Sequence, residues 1–116
     1  MMTLTIVARV RSEKREEFLQ AMRSFADQLE KQKGLKESAL YQDVIDQTRF
    51  SLTHEWETRE DLERYSGTEK FKILLGALEL LCDESEIRCS HAYFLRDLPG
   101  YQKNKDIPSR KKKRVL

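Results

Sequence analysis

The hydrophobic period of this chain switches from two to 3.6 residues and back, and then does so again. Leu4, Ile6, Ala8 and Val10 alternate with Thr3, Thr5, Val7 and Arg9, as in a strand buried chiefly on one face. From Phe18 the pattern changes: Phe18, Met22, Phe25 and Leu29 recur at helical spacing, with Leu19 and Ala26 widening the stripe. Ser12 is a candidate N-cap, Glu13, Glu16 and Glu17 suit the positive end of the helix dipole, and Gly34 suits a left-handed cap. A helix over about residues 13–33 is expected.

Residues 36–44 and 48–57 then form two strand candidates joined through Ile45, Asp46 and Gln47 as a hairpin. Thr58 caps a short helix containing Leu62 and Tyr65. The spacing from Ser66 to Glu69 matches a capping box for the next helix, which places Phe71, Leu74, Leu75, Leu78 and Leu81 on one side. A last strand is expected over 86–95. The order β-α-β-β-α-β, with its second helical region split, predicts an α+β, ferredoxin-like fold: a four-stranded antiparallel sheet with helices on one face. Thr5, Val7, Arg9, Ser51, Thr53 and Glu55 should point to the opposite, open face, a half-apolar mixture suited to cover by a second copy.

Composition narrows the class. The 116 residues are 39% hydrophobic and 36% charged, the balance of a soluble domain of one core. No apolar run approaches the ~20 residues that span a bilayer. The N-terminal stretch lacks the basic region and cleavage site of a signal peptide, so none is expected. Cys82 and Cys89 make no CxxC pair and no disulfide framework, which points to reduced thiols and a cytoplasmic setting. Residues 101–116 carry seven cations against Asp106 alone, a net +6, so residues 1–100 sum to −4. The division is a domain over 1–98 and a basic tail over 99–116. SRKKKR in the tail is the one hint of nucleic acid; without interleaved aromatics it reads as a solvated charge run.

Candidate chemistry is confined to one place. The four glycines form no phosphate-binding loop, and His54 and His91 fall on different strands, so no metal site is expected. Phe50, Leu52, His54 and Trp56 share one strand face, which should meet the helix carrying Phe71 and Leu75. Complete packing there makes His54 a hydrogen-bonded core histidine; a gap makes it the polar member of an aromatic ligand pocket. Gly76 is read as a point of close helix packing or of spare room.

The succession F-x-L-x-H-E-W-E-T-R-E-D-L-x-x-Y, followed by K-F-K-I-L-L-G-A-L-E-L-L, resembles the antibiotic biosynthesis monooxygenase family over about residues 3–96. The resemblance implies a dimeric α/β barrel of two ferredoxin-like protomers joined through their open faces, each with a pocket between sheet and helices. It implies oxidation of a small aromatic or quinol substrate by O2 without metal, flavin or other cofactor. On that basis His54, Trp56 and Tyr65 are the candidate catalytic residues, as base, pocket wall and hydrogen-bond donor, and Phe50, Leu52, Phe71 and Leu75 are candidate substrate contacts. The chain departs from the family pattern in two ways. Many relatives carry an acid where His54 stands and a histidine where Tyr65 stands. A non-catalytic ligand-binding or interaction dimer of the same fold is therefore a second reading, and an isomerase of a small oxygenated metabolite, using Arg49, Arg64, Lys70 or Lys72, a third. The Asn-Trp-His trio of heme-degrading relatives is absent, because Asn104 is the one asparagine.

Overall fold

The computed structural model describes residues 1–91 and 99–100. The elements in chain order are β1 (Met2–Val10), a 3-10 turn (Ser12–Lys14), α1 (Arg15–Leu29), β2 (Leu35–Gln42), β3 (Arg49–Trp56), α2 (Arg59–Ser66), α3 (Glu69–Leu81) and β4 (Cys82–His91). The four strands form one antiparallel sheet in the order β2-β3-β1-β4, the ferredoxin-like arrangement expected from the period changes.

One face of the sheet is buried. Leu4, Ile6, Ala8 and Val10 of β1 and Phe50, Leu52, His54 and Trp56 of β3 are all enclosed, and their sequence neighbours are not. Two adjoining clusters fill the space beneath the helices. The larger joins Phe18, Met22 and Phe25 of α1 to Ile6, Phe50, Leu52, Leu74 and Leu78. The smaller joins Leu4, Leu29, Trp56, Leu62 and Tyr65. Partly buried Phe71 packs against both. Full burial of each such side chain stabilises the fold by roughly 1.5–3 kcal/mol, so the inward set of β1 and β3 carries much of the core.

Several local expectations are revised. Ser12 caps nothing; it opens the 3-10 turn, and α1 starts three residues later. α1 ends at Leu29, where the amides of Lys31 and Gln32 turn to carbonyls three residues back and tighten the chain toward Gly34. Gly34 has φ +87°, and a Cβ there would overlap the Asp61 side chain, so this glycine serves both the turn and the approach of α2. Thr68, not Ser66, caps α3, accepting from the Phe71 amide; Ser66 closes α2 by donating its hydroxyl to the Glu63 carbonyl. Ala26 is exposed and Ala21 joins Leu19 at the edge of the α1 stripe. Leu75 is exposed, because the buried line of α3 is narrow and runs through Leu74 and Leu78.

β4 begins directly after α3, four residues before the expected start, and pairs along the whole of β1 from Val10 opposite Cys82 to Met2 opposite His91. Its residues after Cys82 are exposed, so hydrophobic alternation does not mark it. Residues 92–95 of the expected strand, and the tail from 101, lie outside the described residues. The β2–β3 hairpin is closed by two aspartates. Asp43 accepts from the amides of Ile45 and Asp46, and Asp46 from the hydroxyl and amide of Thr48, with Arg9 bridged to Asp46 at 2.8 Å. These contacts hold both carboxyls below the usual aspartate range.

Candidate functional site

Thr58 starts the local architecture of the site. It terminates β3's path with an extended backbone, and its hydroxyl both accepts from the Asp61 amide and donates to the Asp61 carboxylate at 2.9 Å. Asp61 also receives Arg64 at 2.8 Å, and that guanidinium, ahead of the Thr58 hydroxyl, depresses its pKa. With α2 fixed at this end, Leu62 and Tyr65 are turned toward Trp56.

An aromatic cluster results. Tyr65 stacks on Trp56 with ring centroids 5.0 Å apart, His54 stands edge-on to Tyr65 at 6.0 Å and to Trp56 at 6.4 Å, and Phe71 meets Tyr65 edge-on at 5.3 Å. His54 and Trp56 are fully enclosed. Among the described residues, no group hydrogen-bonds to either ring nitrogen of His54 or to the indole nitrogen of Trp56. Leaving a buried polar group unsatisfied costs about 1–3 kcal/mol. Burial pushes the His54 pKa down from 6.5 to about 4 and the Tyr65 phenol up to about 12. At neutral pH the imidazole is uncharged and able to accept a proton at one nitrogen, and the phenol keeps its O–H to donate.

Beside this cluster, under the helix-facing side of β1 and β4, lies a cavity of about 450 Å3. Met2, Leu4, Ile87 and Cys89 line its sheet side; Arg59, Leu62, Glu63 and Ser66 of α2 and Phe71 of α3 line the other. Its size and mainly apolar wall suit a one- or two-ring ligand. Arg59 and Glu63 pair with each other at 3.0 Å, so the charged residues of this lining neutralise one another.

Of the seven candidates from the sequence, Phe71 alone lines this cavity. His54, Trp56 and Tyr65 are brought together as a cluster, with Tyr65 one ring behind the cavity and His54 and Trp56 beyond it; Phe50 and Leu52 lie in the larger core cluster, and Leu75 is on the exposed side of α3. Met2, Leu4, Leu62, Ile87 and Cys89 were not anticipated. Leu4 sits opposite both His54 and Cys89 across the sheet, so the strand register, once known, leads from the histidine to the cavity. Among the described residues no three His, Cys, Asp or Glu side chains are grouped to hold a metal ion. None of the described helices is long and apolar enough to cross a membrane.

Residues 1–74, from β1 into the first half of α3, match the antibiotic biosynthesis monooxygenase family. The chain belongs to that family. The matched segment contains His54, Trp56, Tyr65 and Phe71 but none of β4, so Ile87 and Cys89 of the cavity are outside it. No curated protein matches the sequence. Among solved structures, a putative antibiotic biosynthesis monooxygenase from Nitrosomonas europaea is 22% identical with a TM-score of 0.74, covering 81% of this chain and 100% of its own. A putative antibiotic biosynthesis monooxygenase from Deinococcus radiodurans is 15% identical at a TM-score of 0.77, covering 86% and 100%. A conserved protein from Methanosarcina mazei Go1 is 22% identical at 0.74, covering 79% and 92%. Identities this low establish a shared fold for this family member.

Proposed function

We propose that this protein is a cofactor-independent monooxygenase that oxidises a small aromatic or quinol substrate with O2. The observation that carries the reading is the neutral, mainly apolar cavity of about 450 Å3 bounded by Phe71, with Tyr65 edge-on behind that ring and His54 and Trp56 against Tyr65. The chemistry asks little of a protein beyond position, water exclusion and proton handling. An electron-rich phenol that loses its proton reduces oxygen itself. In this reading His54 takes that proton, Tyr65 donates its O–H to a substrate oxygen and Trp56 forms a wall.

Burial shapes the base. A histidine with a pKa of about 4 is deprotonated and ready at neutral pH, but a phenol with an ordinary pKa near 10 gives its proton up to it only uphill. The resulting phenolate beside an imidazolium offsets part of that cost, since an opposite charge within a few ångströms favours the charged form of both. The protein acts as a homodimer through the open sheet face carrying Thr5, Val7, Thr53 and Glu55, and as a reduced-thiol cytoplasmic enzyme. The isomerase reading is the weaker: Arg49 lies on the open face, Arg64 is held by Asp61, and neither Lys70 nor Lys72 lines the cavity.

Oxygen uptake with 1,4-dihydroxynaphthalene, corrected for autoxidation, tests the proposal. Enzyme-dependent uptake that His54→Leu abolishes while the far-ultraviolet circular dichroism is unchanged is expected. Ligand binding with no uptake for a panel of quinols would instead favour the non-catalytic ligand-binding dimer, for which the sealed position of His54 is the supporting observation.

A further inference from the structure

Gly76 stands in the middle of α3 with nothing within 4 Å of the place a Cβ would take. The residues beside it on the same arc of the helix are apolar and exposed, Ile73 by 56% and Leu80 by 72%. Glu69, Ile73, Gly76 and Leu80 follow one another at intervals of four, three and four, the spacing of a seam along which one helix packs on another. At 100° per residue this arc is about 150° around α3 from the buried line of Leu74 and Leu78. It therefore faces away from the sheet and stays free when the open sheet face is covered. Two large side chains with a notch between them make a surface that a second helix can approach closely.

The charges beside the seam say which helix. Lys72 and Glu79 occupy the same flank, seven residues apart, both exposed, and neither forms an ion pair among the described residues. Two helical turns separate them, too far for a pair within one helix. In an antiparallel pair of helices the same flanks meet, so Lys72 reaches Glu79 of a second copy and Glu79 reaches its Lys72. At the far end of α3, Arg11 donates to the Leu80 carbonyl and bridges Asp83 at 3.3 Å. That cation lies where antiparallel pairing brings the Glu69 carboxylate of the second copy, and the two helix dipoles oppose each other favourably.

We propose that the outer arc of α3 is a self-complementary interface, at which two copies pair their α3 helices antiparallel with Ile73 of each seated over Gly76 of the other. The contact is isologous, with every pair made twice. It is distinct from the open sheet face and from the cavity, and it does not depend on the proposed function. One face of a 13-residue helix buries less than the roughly 1,200–2,000 Å2 of a stable interface. The pairing therefore joins sheet-face dimers when the protein is concentrated and releases them at micromolar concentration.

Sedimentation equilibrium of the full chain from micromolar to millimolar concentration tests the proposal. The mass should rise above its micromolar value toward twice that value. Lys72→Glu should weaken this association by roughly tenfold, because two attractions become two repulsions. Lys72→Glu combined with Glu79→Lys should restore it, since both pairs form again with their signs exchanged; a merely structural effect of either change would persist in the double variant. Ile73→Lys should abolish the rise while the far-ultraviolet circular dichroism stays unchanged. A mass that never rises would overturn the second copy as the occupant of this arc. A rise of equal size in the wild type, Lys72→Glu and Ile73→Lys would overturn it as well, because the contact would then lie on another surface.

Discussion

Acidification from neutral pH should destabilise this protein before its carboxylates begin to titrate, and His54 should be the cause. The imidazole has a pKa of about 4 in the folded state against 6.5 when free, because it is desolvated and no hydrogen bond from the described residues compensates. The folded value is depressed, so above 6.5 neither state binds the proton and the full stability is present. Between 6.5 and about 4 the unfolded chain binds it and the folded chain does not, and stability falls as the pH falls. Over the whole window the loss is about 3 kcal/mol, and about 2 kcal/mol of it is reached by pH 5. Asp43, Asp46 and Asp61, whose folded pKa values are also depressed, begin to contribute only near and below their unfolded value of 3.8, so their acid losses lie lower. The assay is urea unfolding at fixed protein concentration between pH 7.5 and 5, followed by Trp56 fluorescence and by circular dichroism. The wild-type protein should lose about 2 kcal/mol over that range, and His54→Leu, which has no imidazole to charge, should be nearly flat. Parallel losses in the two proteins would refute the reasoning, since they would place the titrating group elsewhere.

Thr58→Ala removes the cap of α2 and a hydroxyl bond to the buried Asp61, and should cost about 1–2 kcal/mol in urea unfolding at pH 7. Gly34→Ala should destabilise by more than about 1 kcal/mol, because φ is positive and the added Cβ meets Asp61; a neutral result would mean that the turn rearranges freely. Gly76→Ala should do the opposite. Nothing lies within 4 Å of a Cβ there, so the helix should gain about 0.5–1 kcal/mol, read as a raised melting temperature. Sedimentation at micromolar concentration should give the mass of two chains, and the mass of one would contradict the barrel dimer.

Gly76 and Leu75 show where reading the sequence stops. A glycine inside a helical pattern suggests close packing or spare room; Gly76 faces open space, and Leu75 beside it is exposed. Periodicity gives the angle of each side chain around α3, but not which arc the sheet covers. The start of β4 escapes periodicity for a related reason. An edge strand with both sides exposed after Cys82 has no alternation to read, and its start was fixed by backbone pairing with β1.

What the sequence determined by itself was the order of elements, the ferredoxin-like topology, the inward set of β1 and β3, the cap at Thr58 and the turn at Gly34. All of these follow from local periods and local backbone chemistry. The resemblance to the family singled out His54, Trp56 and Tyr65 as one group. Packing between distant elements was needed to show that this group is sealed, that His54 has no partner among the described residues and a low pKa, and that the cavity lies beyond Tyr65 and Phe71. A cavity is the space left when elements distant in sequence fail to meet, here β4 against α2 and α3. Its position depends on packing distances that no local pattern encodes.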